Sequence, residues 1–429
     1  MMGPARLTNR ILEPCRGPML ANRTKVFRRW LATLVICWIA SPAVAQRPES
    51  SQWRGPAHDG VFPAETSWRT NWKESPPREL WRVEVGVGYS GFAVSQGRAY
   101  TVGNVGGEDI IHCLQAEDGK SAWTSRYPQD LVAVYNSGGP NAAPVIDGDW
   151  LYILSKKGLL SCFAKTDGAL RWRIDLAEKA GAKMPTWGFA GAPLVIGDRL
   201  YLNANRSGIA VNKHTGAVEW NSPADECGYA SAVAMSFRDT PALAILGTRE
   251  LFVVRQDDGQ VLWDIPWATR MGENSADPVP LGDKLYVSSW WDMGAALFQP
   301  SAGTEPLWRN ADFENHIAAP VPFEGHLYGS HGPVHRRTRD VAIACVEIAS
   351  GKTIWSQPGL KGSLIIAGSK LLILTHDGTL IAAEATPKGF HELARHAGLG
   401  ARTWSPPVLH DGRVYVRDAD GFAVCLDLR

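Results

Sequence analysis

After residue 78 the chain is a succession of short apolar runs and period-two alternations. Arg413-Val414-Tyr415-Val416-Arg417 alternates strictly, while Leu151-Tyr152-Ile153-Leu154 and Leu160-Ser161-Cys162-Phe163-Ala164 are runs bounded by turn residues. Runs this short with this period predict strands and no long helix. Asp-Gly, Gly-Asp and Asp-Arg dipeptides separate them and supply the positive φ that hairpin turns need. Around Trp172 one unit contains Ala143-Pro144-Val145, Leu151 to Leu154, Leu160 to Ala164 and Leu170-Arg171-Trp172, which is four strands. Its opening recurs as Ala192-Pro193-Leu194, Asp277-Pro278-Val279 and Ala319-Pro320-Val321, each followed by a turn and a Leu-Tyr pair. Pro at the start of a first strand removes a donor where it is least needed.

The period is set by tryptophan. Trp81, Trp123, Trp172, Trp220, Trp263, Trp308 and Trp355 recur at intervals of 42 to 49 residues, most of them closing a segment of the form Asp-Gly-Lys-x-x-Trp. An eighth closing strand, Glu392-Leu393-Ala394-Arg395, lacks the Trp. Opening strands begin near Gly91, Ala143, Ala192, Ser231, Asp277, Ala319, Leu364 and Pro406, which also makes eight. The last unit ends after three strands, whereas Leu80-Trp81-Arg82-Val83 precedes any opening strand. The expected fold is therefore all-β: an eight-bladed β-propeller of four-stranded antiparallel blades over 78–429, with the N-terminal strand completing the last blade.

The repeat, through Glu117-Asp118-Gly119-Lys120 to Trp123, Thr166-Asp167-Gly168 to Trp172 and Ser350-Gly351-Lys352 to Trp355, resembles the pyrroloquinoline-quinone (PQQ) type propeller repeat. Quinoprotein alcohol dehydrogenases and the outer-membrane assembly factor B propellers carry that repeat. The resemblance implies a fold. The repeated Trp and Gly are scaffold and report no bound quinone.

Ahead of the repeats, Lys25, Arg28 and Arg29 precede an apolar run from Trp30 to Ala40, and Ala43-Val44-Ala45 offers a small-residue cleavage site. Residues 1–45 read as a secretory signal peptide, too short in its core for a membrane span, with cleavage near Ala45 and a periplasmic or secreted destination. Bulky Ile36 argues against Cys37 as a lipid acceptor. Residues 46–77 form an N-terminal strap carrying Gln52-Trp53-Arg54-Gly55-Pro56, expected to pack on one face of the ring. The signal segment holds seven basic residues and one acid, so cleavage takes the net charge from +1 to −5, which disfavours nucleic acid as a partner. Cys113, Cys162, Cys345 and Cys425 share a third-strand position and read as buried apolar residues, and Cys227 as a loop thiol. A monomer with no transmembrane helix is expected.

Residues just before each opening strand converge on one mouth of a propeller channel. They are Tyr89, Asn141, Trp187 and Phe189, Tyr229, Glu273 with Asn274, Glu314 with Asn315 and His316, Ser363, and Arg402 with Trp404. Aromatics there suit recognition, since they are rigid and amphipathic. The favoured function is an extracytoplasmic binding or scaffolding propeller without a cofactor, taking an envelope or extracellular protein, peptide or glycan through Tyr89, Asn141, Trp187, Phe189, Tyr229, His316, Arg402 and Trp404. The alternative comes from the resemblance: a PQQ- and calcium-dependent alcohol or sugar dehydrogenase, with Glu273, Asn274 and Asn315 as calcium ligands and Asp277 as the base. The chain departs from that pattern in having no adjacent cysteines and no Cys-x-x-Cys-His. Trp290-Trp291 is expected to put its rings on opposite strand faces at the rim. His326, His331 and His335 with Arg336, Arg337 and Arg339 read as a solvated hairpin. No nucleophile elbow or phosphate loop is visible.

Overall fold

The computed structural model describes residues 50–62, 68–134, 136–333, 341–400 and 402–429. The expected signal segment and the hairpin residues His335, Arg336, Arg337 and Arg339 lie outside them. Eight blades follow one another along the chain, and in blades 1 to 6 the four strands pair antiparallel in sequence order. Blade 1 is built from Ala93–Ser95, Arg98–Val105, Glu108–Gln115 and Ser121–Pro128. Blade 8 takes Val408–His410, Arg413–Arg417 and Phe422–Asp427 from the C-terminus and Arg78–Glu84 from the N-terminal side, paired antiparallel to Phe422–Asp427. The ring is thus closed by strands from both ends of the repeat region, as the count of half-units required. Among the described residues no helix is long and apolar enough to cross a membrane.

Seven of the eight joints between blades repeat one arrangement. In every blade the pairing of third and fourth strands slips by one residue at the Trp position, a bulge that re-aims the side chain. The indole then crosses to the next blade and donates to a backbone carbonyl there: Trp81 to Ala116 O (3.1 Å), Trp123 to Lys165 O (3.0 Å), Trp172 to Lys213 O (3.0 Å) and Trp220 to Gln256 O (2.9 Å). Trp263, Trp308 and Trp355 do the same to Gly303, Ile348 and Thr386, each at 2.8 Å. The turn it meets carries glycine for two reasons. Gly168 has φ 73°, and a Cβ there would lie 2.5 Å from the Trp123 ring.

The joint between blades 7 and 8 has Ala394 where its counterparts have Trp. Trp68 and Trp72 of the strap pack into that apolar cluster together with Phe62, Leu399, Leu409 and Val414. The strap therefore supplies aromatic volume that the closing strand of blade 7 lacks.

The rest of the strap corrects an expectation. Instead of lying on a face, Ser50–Phe62 enters the channel. Val94 N donates to Ser50 O (2.8 Å) and Ile146 N to Ser51 O (2.9 Å), on the inner strands of blades 1 and 2. At the tip, Trp53 packs against Ala143, Val145 and Ala192, and Arg54 donates to Pro320 O (2.7 Å). Val61–Phe62 then runs parallel to Gly362–Ala367, the inner strand of blade 7, making that sheet five-stranded. The inner edges of a propeller leave backbone groups unpaired, and the strap satisfies several of them at once. A one-dimensional pattern shows an irregular, Pro-rich segment, but not that eight edge strands surround a slot it can fill.

Substitution at one joint tests the arrangement. Trp123→Phe keeps an aromatic ring but removes the indole donor to Lys165 O, leaving it the Tyr100 hydroxyl at 3.4 Å, and should cost about 1–2 kcal/mol. Gly168→Ala strains the turn against the same indole and should cost about 2–3 kcal/mol. Urea unfolding midpoints of the variants against the parent protein check both values.

Candidate functional site

The segments that lead into the inner strands meet at one end of the channel, where they enclose a cavity of about 500 Å³. Tyr89, Asn141, Trp187, Tyr229, Glu273, Ile317 and Trp404 line it, one from the approach to each blade except blade 7. The floor is the strap. Trp53 lines the cavity from below and donates through Nε1 to Asp277 Oδ2 (2.7 Å), while Ser231 N donates to Asp277 Oδ1 (2.7 Å). Burial pushes the Asp277 carboxyl above the usual carboxylate range, and the Arg54 charge and these two donors oppose that shift. Asp277 thus ties blades 4 and 5 to the plug.

Aromatic pairs form the walls. Tyr89 stacks on Trp404 with ring centroids 4.3 Å apart, and Trp187 meets Tyr229 edge-on at 5.4 Å. Tyr89 and Tyr229 are buried, whereas Trp187, Trp404 and Trp53 are half-buried. The rings make a cup and not a flat platform.

Glu273 reaches the cavity between two partners: His316 Nε2 lies 2.9 Å from its Oε1, and Trp291 Nε1 donates to its Oε2 (3.1 Å). Trp290 and Trp291 do not alternate across a strand. They sit in a turn where Trp291 has φ 73° and Asp292 φ 61°, so both indoles fall on one side, 4.2 Å apart, with Trp290 over His316 at 4.9 Å. Strand periodicity fails there because the chain is turning.

Several residues predicted for the mouth lie elsewhere. Phe189 is buried in the core beneath Gly158, in the cluster that holds Leu154 and Leu176. Arg402 is exposed and paired with Asp420 at 2.7 Å. His316 stands behind Glu273. Asn274 and Asn315 are clips inside the fold: Asn274 Nδ2 donates to Gly247 O (2.8 Å) and Trp267 O (2.9 Å) while its Oδ1 accepts from Ser289 Oγ (2.8 Å). Asn315 accepts from the Tyr286 hydroxyl and donates to Ser330 O (2.9 Å). Among the described residues no cluster of three or more His, Cys, Asp or Glu could hold a metal. All five cysteines of the described chain are free and buried. Burial pushes the Cys227 thiol up to about 12, which leaves this loop cysteine unreactive.

Sequence reasoning set Trp53 aside as packing of the strap on a face and missed Asn136, Met271 and Trp291 as lining residues. The first comes from the strap and the last from a hairpin, neither of which precedes an opening strand.

The family described as outer membrane protein assembly factor BamB matches residues 65–140, 134–357 and 339–429, nearly the whole propeller. The chain belongs to this family. The BamB protein of Yersinia pestis is 26% identical over 291 residues, covering 64% of this chain and 66% of that relative, a little under two thirds of its length. The crystal structure of BamB from Moraxella catarrhalis superposes with a TM-score of 0.60 at 14% identity, over 82% of this chain and 99% of that one. Quinohemoprotein alcohol dehydrogenase from Comamonas testosteroni gives 0.63 at 14%, over 90% and 81%. At such identities the structural likeness speaks for the fold alone.

In this member of the BamB family one wall of the mouth depends on a buried cation. Lys156 is almost fully enclosed, and its Nζ contacts Val132 O (3.4 Å) and Asn136 Oδ1 (3.3 Å) on the loop that carries Val134 and Asn136 into the cavity. Burial lowers the ammonium to about 8, against the attraction of Asp109. Between that value and its unfolded value near 10.5 the unfolded chain binds the extra proton, so this group makes stability rise with pH over the window. Below pH 8 both states are charged and the burial cost is fully felt. Lys156→Met should therefore flatten the rise between about pH 8 and 10, read as the difference in urea midpoint between variant and parent.

Proposed function

We propose that this protein is an extracytoplasmic scaffold that recognises a segment of an envelope protein at the plugged mouth of its propeller. Membership of the BamB family supports the protein-binding class, and the signal-like sequence of residues 1–45 supports the location. The observation that carries the reading is the aromatic cup itself. Seven blades contribute to it, the strap closes it below, and half-buried Trp187, Trp404 and Trp291 leave ring surface open above. Rigid aromatic walls around a closed floor accept an inserted side chain or chain end, and desolvated aromatic pockets are where binding energy concentrates. A flat ring platform, which would suit a glycan chain lying across the mouth, is not the arrangement these residues adopt.

The dehydrogenase alternative draws on shared fold. Its calcium ligands would be Glu273, Asn274 and Asn315, but both amides are engaged within the blades by Ser289 and Tyr286. Trp53 and Arg54 fill the axis beneath the cavity. PQQ is a polycarboxylate, and the lining shows Glu273 and Asp277 with no Lys, Arg or His among the described residues. The residues present do not fit the quinone and its cation. Titration of residues 46–429 with PQQ and calcium should leave the quinone absorbance unchanged; stoichiometric binding lost in Glu273→Ala would restore the enzyme reading.

Peptide display tests the scaffold reading. Sequences selected on the protein should lose at least about ten-fold in affinity with Trp404→Ala or Trp187→Ala, each a truncated aromatic anchor. Ile354→Ala on an outer strand should leave affinity unchanged. Selected peptides indifferent to both mouth variants would move the site off the cavity.

A further inference from the structure

Hydrogen-bonding capacity in the cup is unequally divided between donors and acceptors. Its two carboxyl groups are already engaged, Glu273 by Trp291 Nε1 and His316, Asp277 by Trp53 Nε1 and Ser231 N. Asn136 is engaged on one side only. Its Oδ1 accepts from Gly138 N (2.9 Å) and lies 3.3 Å from Lys156 Nζ, a backbone N–H and an ammonium that cannot accept, so the amide is oriented and Nδ2 is left over. Trp187 and Trp404 line the same cavity, half-buried, and their Nε1 groups have no partner among the described residues. None of these three donors is an enclosed, unpartnered atom, so each stays accessible. The hydroxyl oxygens of Tyr89 and Tyr229 accept from Ser137 N (3.4 Å) and Trp187 N (3.5 Å), which leaves both phenol protons to be donated. Against these donors, the lining side-chain acceptors with no bond to the protein are Asn141 Oδ1, whose Nδ2 is turned to Trp187 O, and the Ser275 hydroxyl.

A ligand that fits must supply acceptors and few donors. An ordinary peptide brings an N–H with every carbonyl, and an N–H enclosed without an acceptor loses its hydration uncompensated. A sugar hydroxyl likewise brings a donor with each oxygen. An anion supplies acceptors alone, but it would face Glu273 and Asp277 with no Lys, Arg or His in the described lining. Proline supplies a carbonyl without an N–H, and its ring is an apolar surface for indole and phenol faces. Successive prolines hold the extended polyproline II form, which has no internal hydrogen bonds and little conformational entropy left to lose on binding. Aromatic-lined sites recognise such segments in that form.

We propose that the cavity receives a proline-rich segment of the partner, with pyrrolidine rings against the Trp and Tyr faces and backbone carbonyls accepting from Trp187 Nε1, Trp404 Nε1 and Asn136 Nδ2. This rests on the mouth-binding reading and names the chemistry that the mouth selects. The aromatic walls supply contact area to any inserted apolar group; the surplus of donors supplies the preference for a segment without N–H groups.

The test uses acetylated, amidated peptides Gly-Pro-Pro-Pro-Gly, Gly-Leu-Leu-Leu-Gly and Gly-Ala-Ala-Ala-Gly in calorimetric titration against the purified protein. The proline peptide should bind at least about ten-fold more tightly than either of the others. Trp404→Phe and Trp187→Phe each keep a ring and remove an N–H; each should weaken the proline peptide about three- to ten-fold and leave the leucine peptide within about two-fold. The double variant should bring the proline peptide to the leucine level, with an unchanged thermal midpoint showing an intact fold. Trp404→Ala, which removes the ring as well, should weaken proline and leucine peptides alike. Leucine binding as tight as proline binding, both lost in Trp404→Ala, would overturn the proline preference and leave the mouth reading standing. Proline binding that survives the double Phe variant would defeat the donor argument in the same way. No proline-peptide binding at millimolar concentration would also end it, with the mouth reading then judged on display-selected peptides. Failure of every bound peptide to respond to Trp404→Ala would overturn both.

Discussion

The joint between neighbouring blades, an indole that crosses from one sheet and donates to a carbonyl of the next while lying on a glycine turn, is the interaction on which the rest of the molecule depends. A single four-stranded blade cannot bury both of its faces. Seven of the eight joints bury one large ring and fix the angle between two sheets through a directional hydrogen bond. Repeated around the ring, small fixed angles become closure. The bulge beside each Trp makes this possible, since without the one-residue slip the indole would project along the strand normal and not into the neighbouring turn.

Closure has two consequences at the axis. It brings eight inner strands edge-on to a common channel, where unpaired backbone groups and small side chains would otherwise face water. The strap resolves this by threading in, donating and accepting along several inner edges and placing Trp53 and Arg54 against blades 2, 3, 5 and 6. It also turns a through-channel into a blind cup. The cavity at the mouth is then a joint product of the mouth loops and of a segment that contributes nothing to the blade count.

Much of this was legible in the sequence. Blade number, strand order and the use of Arg78–Glu84 to complete blade 8 follow from a period counted in Trp and Asp-Gly, because a repeat must bury its faces against copies of itself. The mouth was legible in part: Tyr89, Asn141, Trp187, Tyr229, Glu273 and Trp404 reach the cavity because chain position before an inner strand is also position at the axis. Phe189 and Asn274 hold the same place in the chain and are turned into the blades, where Phe189 fills core and Asn274 satisfies three carbonyls. Adjacent residues on a curved approach segment point in different directions, and no periodicity governs them.

Sequence by itself determined the architecture, since local patterning and a fixed repeat leave few ways to bury alternating apolar faces. It determined the residue types available at the mouth as well. Tertiary structure alone decided which of them share a cavity, that Asp277 is spent on Trp53 and Ser231, that Trp291 turns inward on a left-handed backbone, and that the strap is a plug. Those outcomes depend on contacts between segments tens to hundreds of residues apart, such as Trp53 with Asp277, and such contacts exist only once the ring has closed.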